Sequence, residues 1–232
     1  MDVGLSPLGK EEATIAAEAI AASGIQINMV YTSLLKRANI TMENIIQVAN
    51  LNLTRDNVIR DWRLNERHYG ALTGLNKADC VQKFGAEQVQ TWRRSYNVPP
   101  APMEDNHPYY KVIADQPAFA GSITAAQIPR TESLADLINR TIPFWKSEVE
   151  PNILAGRTVL VVAHGTSLRG IVKHIENISD EAICKIDLPN GIPFVYQLDK
   201  DLKPIGARKF LADPDTVRKA VAKVANIVPG PK

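Results

Sequence analysis

The stretch TVLVVAHGTSLRG, residues 158–170, decides the fold of this chain. Its apolar and β-branched run at 158–163 predicts a fully buried strand, which ends just before His164. Thr166 or Ser167 is expected to cap a helix that begins almost at once. Open α/β sheets bind ligands at the carboxyl ends of their strands, and a helix N-terminus there attracts anions because its N–H groups are free. His164 is therefore predicted to face a site for phosphate chemistry.

The composition fits a folded α/β protein and argues against several other classes. A chain of 232 residues, 45% of them hydrophobic, can form one large α/β domain or two small ones, with a full core. Its net charge of +2 argues against broad nucleic-acid binding. Two cysteines, Cys80 and Cys184, make no disulfide framework and indicate a reducing compartment. Because no apolar run approaches a membrane span and the first residues lack a signal-peptide core, we expect no membrane association and a cytoplasmic protein.

Strands alternate with helices along the chain, which predicts an α/β sandwich of a single domain, without a linker. Strands are expected near 27–31, 56–60 and 158–163, and two β segments at 193–198 and 205–211. Helices are expected from Pro7 to near Gly24, over 32–49, 76–84, around 92–96, from 131 towards 150 with a break at Pro143, after His164, and over 213–226.

Residues 97–131 differ in character from the rest of the chain. They show little periodicity and contain six prolines, which lie at positions 99, 100, 102, 108, 117 and 129. Loops of this length in compact domains usually serve as lids or binding loops. We predict a lid-like insertion at about 97–131 that lies over the body of the domain.

Polar groups at the junction after the first strand, Thr32-Ser33 to Lys36-Arg37, form a candidate site. Arg37 carries a planar guanidinium that can bind a phosphate or a carboxylate in a bidentate manner. The alternative is that Arg37 is a solvated charge on a helix face, which is the commoner situation for a single arginine.

The segment RLNERHYG, residues 63–70, places a glutamate between arginines in a stretch without regular periodicity. Glu66 can transfer protons while Arg67 and Tyr69 hold oxyanions. The alternative is a salt-bridged loop without a chemical role, for which this pattern is less typical.

Two further groups complete the candidate chemistry. Lys77 and the pair Arg93-Arg94 either lie on a wet surface or close on a ligand from a lid that the following VPPAPM stiffens. The last group is His164 with the adjacent Gly165 and Thr166.

The other histidines, His68, His107 and His174, lack such a strand-end setting and are interpreted as structural or surface residues. No His-x-x-x-His or Cys-x-x-Cys spacing occurs, so no metal is required.

Six motifs together resemble the cofactor-dependent phosphoglycerate mutases of the histidine phosphatase superfamily, over nearly the whole chain. They are DVGLSPLGKEEA at 2–13, TSLLKRA at 32–38, WRLNERHYGALTGLNKA at 62–78, WRRSYNVPPAPM at 92–103, AHGTSLRGIVKHIE at 163–176 and LPNGIPFVYQLD at 188–199. The resemblance implies a three-layer α/β/α sandwich and a metal-independent isomerase. Such enzymes interconvert 2-phosphoglycerate and 3-phosphoglycerate in glycolysis and gluconeogenesis, through a phosphohistidine primed by 2,3-bisphosphoglycerate.

The resemblance also assigns roles to residues. By position, Glu66 exchanges a proton with the substrate hydroxyl, and His164 is a second pocket histidine that supports the transferring phosphoryl group. Thr166 is a departure, because it stands where a member of the family has Asn, and both offer a polar side chain and an N–H group. A dimer or tetramer is also implied. The positions that would bind small phosphorylated acids are Arg37, Arg67, His68, Tyr69, Lys77, Arg93, Arg94, Gly165 and Thr166.

The family opens with a strand that ends in Arg-His-Gly, whose histidine takes the phosphoryl group. That triplet does not occur in residues 1–232. We therefore expect the domain to lack the family's first central strand, beside 158–163, as in an N-terminally truncated chain or a short isoform, and this chain to lack mutase activity. The alternatives are a non-catalytic relative that binds phosphorylated acids or a protein partner, and a phosphatase or bisphosphoglycerate synthase, since these activities share the pocket.

Overall fold

Three short parallel strands form the centre of the fold, and helices cover both of their faces. A computed structural model describes residues 2–115 and 123–226. The parallel strands are β1 Met29–Thr32, β2 Val58–Arg60 and β3 Val159–Val162, and an antiparallel pair is formed by β4 Phe194–Val195 and β5 Lys209–Phe210. The helices are α1 Pro7–Ser23, α2 Lys36–Val48, α3 Lys77–Phe84, α4 Ala86–Arg94, α5 Tyr110–Ala114, α6 Leu134–Phe144, α7 Glu150–Leu154, α8 Gly165–Glu176, α9 Asp180–Ile183 and α10 Pro214–Asn226.

The parallel sheet has the order β2-β1-β3, with β1 in the middle. Thr32 at the end of β1 is level with Arg60 of β2 and with Val162 of β3. The strands therefore end along one edge of the sheet. The segments that follow the three strands start from this edge. These segments contain the four groups of candidate site residues or lead to them.

Alternation along β1 builds two apolar layers, because successive side chains of a strand point to opposite faces. Met29 and Tyr31 pack with residues of α6 and α8. Val30 packs on the other face with residues of α1 and α2. This arrangement confirms the predicted α/β/α sandwich.

Local details at the strand ends differ from the sequence prediction. β3 is only half-buried up to Val162, because it lies at an edge of the described sheet, whereas all of β1 is buried. The N-cap of α8 is His164 rather than Thr166 or Ser167, and the Ser167 hydroxyl instead accepts a bond from the His164 amide at 3.1 Å. α2 begins at Lys36, after the end of β1.

The helix predicted from 131 to 150 is interrupted. α6 ends at Phe144, a π-helical turn covers Trp145–Val149, and α7 follows. Pro143 lies inside the last turn of α6. Because proline has no N–H to donate, it removes one helical hydrogen bond, which accounts for the predicted break.

The described part of the predicted insertion contains α5, and residues 116–122 of it lie outside the described residues. Its Met103 and Ile113 are buried against Leu35, which follows β1. The insertion is thus attached to the edge of the sheet where the strands end. Within residues 2–115 and 123–226, none of the helices has both the length and the apolar character that crossing a membrane requires.

Candidate active site

His164 is held by both of its ring nitrogens. Its Nε2 lies 2.8 Å from the Ser33 hydroxyl oxygen, and the Arg37 Nε–H donates to its Nδ1 at 3.1 Å. The residue is 6% exposed. Burial first, and the Arg37 cation second, lower the pKa of His164 to about 3, so the ring is neutral at pH 7. The strand-end position of His164 matches the prediction, but its ring nitrogens bind protein groups.

Glu66 lies at the N-terminus of α8. Its Oε1 accepts the Arg67 N–H at 2.7 Å and its Oε2 accepts the Thr166 N–H at 3.3 Å. Burial raises the pKa of Glu66, but the hydrogen bonds that its carboxylate accepts from the Thr166 side chain and from the Arg67 and Thr166 amides outweigh burial and hold the pKa below its usual value. The carboxylate is therefore ionised and can accept a proton at neutral pH.

Two cavities lie on either side of this carboxylate. The larger has a volume of about 430 Å³ and includes Arg37 in its lining, and the smaller has a volume of about 220 Å³ and includes Thr166. Glu66, Arg67 and Arg93 line both of them. An anionic ligand in either cavity would therefore meet guanidinium groups and the same proton acceptor.

Arg67 is the most buried of these arginines, with 5% of the residue exposed. One Nη2–H donates to the Trp92 carbonyl at 3.2 Å, and the guanidinium stacks 4.7 Å from the centre of the Tyr69 ring. Among residues 2–115 and 123–226, its Nε has no hydrogen-bond partner. A buried donor without a partner is costly unless a ligand satisfies it, so Arg67 is suited to hold an anion.

The remaining predicted positions differ in their surroundings. Arg94 forms a salt bridge of 3.0 Å with Asp187 at the smaller cavity, which Gly165 also lines. Lys77 is the first residue of α3, which is capped by Asn76 and lies where a helix over 76–84 is predicted. His68 lines the larger cavity, its Nδ1 accepts the Gly70 N–H at 3.1 Å, and burial lowers its pKa to about 4.

Sequence reasoning missed two buried residues next to this site, Glu132 and Arg140. They form an ion pair of 2.6 Å and contact the backbone on both sides of Glu66. Glu132 lies before α6 and Arg140 within it, so the i, i+3 or i, i+4 spacing that pairs side chains on one helix does not pair them in the sequence. Among the described residues, no three His, Cys, Asp or Glu side chains are grouped so that they could hold a metal ion.

The chain matches the model of the histidine phosphatase superfamily, branch 1, over residues 1–111 and 107–202. It is 46% identical over 225 residues to the 2,3-bisphosphoglycerate-dependent phosphoglycerate mutase of Leifsonia xyli subsp. xyli, an alignment that covers 97% of this chain and 88% of the relative.

Two solved structures share the fold at low identity. A mycobacterial glucosyl-3-phosphoglycerate phosphatase superposes with a TM-score of 0.61 at 20% identity, covering 90% of this chain and 86% of the other. An Escherichia coli protein described as a putative alpha-ribazole-5'-P phosphatase also gives 0.61, at 16% identity, over 90% of this chain and 83% of the other. At such identities the likeness bears on the fold alone.

Proposed function

Since this chain belongs to the histidine phosphatase superfamily, branch 1, we propose that its site serves the interconversion of 2-phosphoglycerate and 3-phosphoglycerate. The ionised Glu66 between two arginine-lined cavities carries this proposal. The 46% identical mutase supports the substrate class and the dependence on 2,3-bisphosphoglycerate.

Glu66 is the proposed proton acceptor and donor. When a substrate hydroxyl oxygen attacks the phosphoryl group, Glu66 takes the hydroxyl proton, and it returns the proton in the reverse step at the other hydroxyl. The depressed pKa favours the ionised form, which the first step needs. Arg67 and Arg93 line both cavities. Their guanidinium groups are proposed to bind the phosphate and carboxylate groups of the substrate.

The donor set fits 2,3-bisphosphoglycerate, a ligand with three anionic groups. The cavities are lined by Arg37, Arg67, Arg93 and Arg94, and in the described part of the chain the Arg67 Nε has no partner. When bound, 2,3-bisphosphoglycerate supplies the phosphoryl group that primes a histidine. His164 is the proposed support for the phosphoryl oxygens, to which its Nε2–H would donate in place of the Ser33 hydroxyl while Arg37 fixes the ring.

The nucleophile is proposed to lie in an Arg-His-Gly segment, which residues 1–232 do not contain. His164 is a poor substitute because Ser33 and Arg37 engage both of its ring nitrogens. This engagement favours a second candidate function for these 232 residues, namely binding of phosphorylated acids without turnover.

One set of measurements distinguishes the mutase function from binding without turnover. Two proteins are titrated with 3-phosphoglycerate and assayed with the bisphosphate primer. One is the 232-residue chain, and the other is a fusion that adds an N-terminal strand and Arg-His-Gly segment of the kind with which the family opens. Binding by both with turnover by the fusion alone supports the mutase proposal, and binding without turnover by either supports the non-catalytic one. Absence of binding contradicts both.

The matched variants in the fusion are Glu66→Gln and Glu104→Gln, the second at an exposed carboxylate. We expect Glu66→Gln to lower kcat by about 10²–10⁴-fold and Glu104→Gln to leave it unchanged. The proposal includes a cytoplasmic location. It also includes a dimer or tetramer, and sedimentation velocity measures this oligomeric state.

A further inference from the structure

A buried ion pair lies directly behind the segment that carries Glu66. The Arg140 Nε–H donates to Glu132 Oε1 at 2.6 Å, and an Arg140 Nη2–H donates to Oε2 at 3.0 Å. The two side chains are 10% and 4% exposed. A pair of charges so removed from water is weak support for stability by itself, because desolvation offsets most of the attraction. Its contacts with the backbone therefore decide what it does.

The other N–H groups of Arg140 donate hydrogen bonds to backbone carbonyl groups of the segment that carries Glu66. Its Nη1 donates to the Arg63 carbonyl at 2.7 Å. Its Nη2 donates to the carbonyls of Asn65 and Glu66, at 3.0 and 3.4 Å. Because the five N–H groups of a guanidinium lie in one plane, these bonds fix several peptide groups at once, which a lysine ammonium cannot reproduce.

Glu132 fixes the same segment on the other side of Glu66. Its Oε2 accepts the His68 N–H at 2.8 Å, while its own backbone N–H donates to the His68 carbonyl at 2.9 Å. Glu132 precedes α6, and Arg140 lies within it. The ion pair therefore ties residues 65–68 to the start of a helix that packs against the sheet.

We propose that Arg140 and Glu132 are positioning residues, whose ion pair holds the backbone at 65–68 so that the Glu66 carboxylate reaches the Arg67 and Thr166 amides. This inference rests on the proposed function, in which Glu66 handles the proton. The 3.3 Å bond to Thr166 is the longer of the two carboxylate bonds, and it joins Glu66 to another element, so it is the bond that a displaced segment loses first.

The test follows Glu66 itself, in the full chain and without ligand. The side-chain carboxyl carbon of Glu66 is titrated by ¹³C NMR, amide exchange is measured at Thr166, and thermal unfolding is recorded in parallel. The variants are Arg140→Lys, Glu132→Gln and the double variant Arg140→Met/Glu132→Gln, which leaves no charge at either of the two positions. Arg63→Lys is the matched control, because the side-chain hydrogen bonds of Arg63 among the described residues go to Asp61, at 2.8 Å, and not to 65–68.

We expect Arg140→Lys and the double variant to raise the pKa of Glu66 by about one unit and to speed exchange of the Thr166 amide by roughly tenfold. The double variant should melt closer to the wild type than Arg140→Lys while keeping the raised pKa. Arg63→Lys should change neither the pKa of Glu66 nor the exchange rate of the Thr166 amide. The proposal is overturned if Arg140→Lys lowers the melting temperature but leaves both Glu66 and Thr166 unchanged. Since no step requires turnover, a fusion that binds 3-phosphoglycerate without turning it over would contradict the mutase proposal and leave this test intact.

Discussion

The Ser33 hydroxyl oxygen lies 2.8 Å from Nε2 of His164, which links the carboxyl end of β1 to that of β3. Arg37 donates to the other ring nitrogen. A guanidinium can only donate, so Nδ1 is an unprotonated acceptor, and the single ring proton resides on Nε2 and is donated to Ser33. His164 is thus a neutral ring whose tautomer is set by its two partners. Its low pKa leads to two predictions.

The stability of the protein should fall as the pH drops below about 6.5. The folded-state pKa values of His164 and His68 are lowered to about 3 and about 4, so in this range the unfolded chain binds protons that the folded chain does not. Stability is therefore fully present above the unfolded histidine pKa and is lost towards these lower values. Urea unfolding from pH 7 to pH 5 should show a slope approaching about 1.4 kcal/mol per pH unit for each histidine.

Replacing one histidine isolates its share of this slope. His68→Gln and His164→Gln should each make the pH dependence shallower by about one proton, whatever they do to stability at pH 7. An unchanged slope in either variant would show that the replaced ring is not held neutral in the folded chain.

The second prediction concerns the Arg37 cation. Arg37→Met should raise the pKa of His164, because a positive charge at the ring disfavours its protonation. The pKa should stay below the ordinary histidine value, since burial is the larger cause. Arg60→Met, at an exposed arginine bound to Asn39, is the control and should leave His164 unchanged. NMR of the ring nitrogens measures the titration of His164 in both variants and in the wild type. The same titration curve in Arg37→Met as in the wild type would contradict the prediction.

Much of the fold could be predicted because local patterns and packing agree in this chain. The apolar run at 158–163 and the polar turn after it predicted β3, α8 and the strand-end position of His164. Asn76 and Ser133 cap helices through their side chains, and Pro143 marks the break in a helix. Each of these signals operates within a few residues, so the sequence alone contains it.

The orientation of side chains across the sheet could not be predicted in this way. The Ser33–His164 bond joins residues 131 positions apart, and it depends on the parallel register of β1 with β3. Arg140 reaches carbonyl groups more than 70 positions away, and carbonyl groups carry no sequence signal. For the same reason the segment RLNERHYG indicated a site, but did not show what holds it in place.

Arg93 should contribute strongly to binding of phosphorylated acids. It lines both cavities, and no salt bridge to it occurs among the described residues, whereas Arg94 is bound to Asp187. Arg93→Met should weaken binding of 3-phosphoglycerate by roughly tenfold to a hundredfold, as expected for a lost hydrogen bond to a charged group. Arg218→Met, at an exposed ion pair, should bind like the wild type. Calorimetric titration of both variants decides this, and equal affinities would exclude Arg93 from the binding site.

Gly74 marks the place where the insertion meets the segment after the candidate site. Its φ is +79°, a conformation that disfavours other residues, and a Cβ added there would lie within 2 Å of the Tyr109 ring. Tyr109 immediately precedes α5. Gly156 has the same φ of +79°, but a Cβ added there meets nothing within 4 Å. The two glycines therefore separate backbone strain from steric conflict.

Gly74→Ala should destabilise the protein more than Gly156→Ala does. Both variants carry the strain of a positive φ, about 1–3 kcal/mol, but only Gly74→Ala also forces the Tyr109 ring away, which adds a further cost of about 1–3 kcal/mol. Since Gly74 lines the larger cavity, the displaced ring should also loosen the insertion and speed amide exchange at Ile113, the buried residue of α5. Urea unfolding and hydrogen exchange of the two variants measure both effects. If they unfold at the same urea concentration, the contact between Gly74 and Tyr109 does not hold the insertion in place.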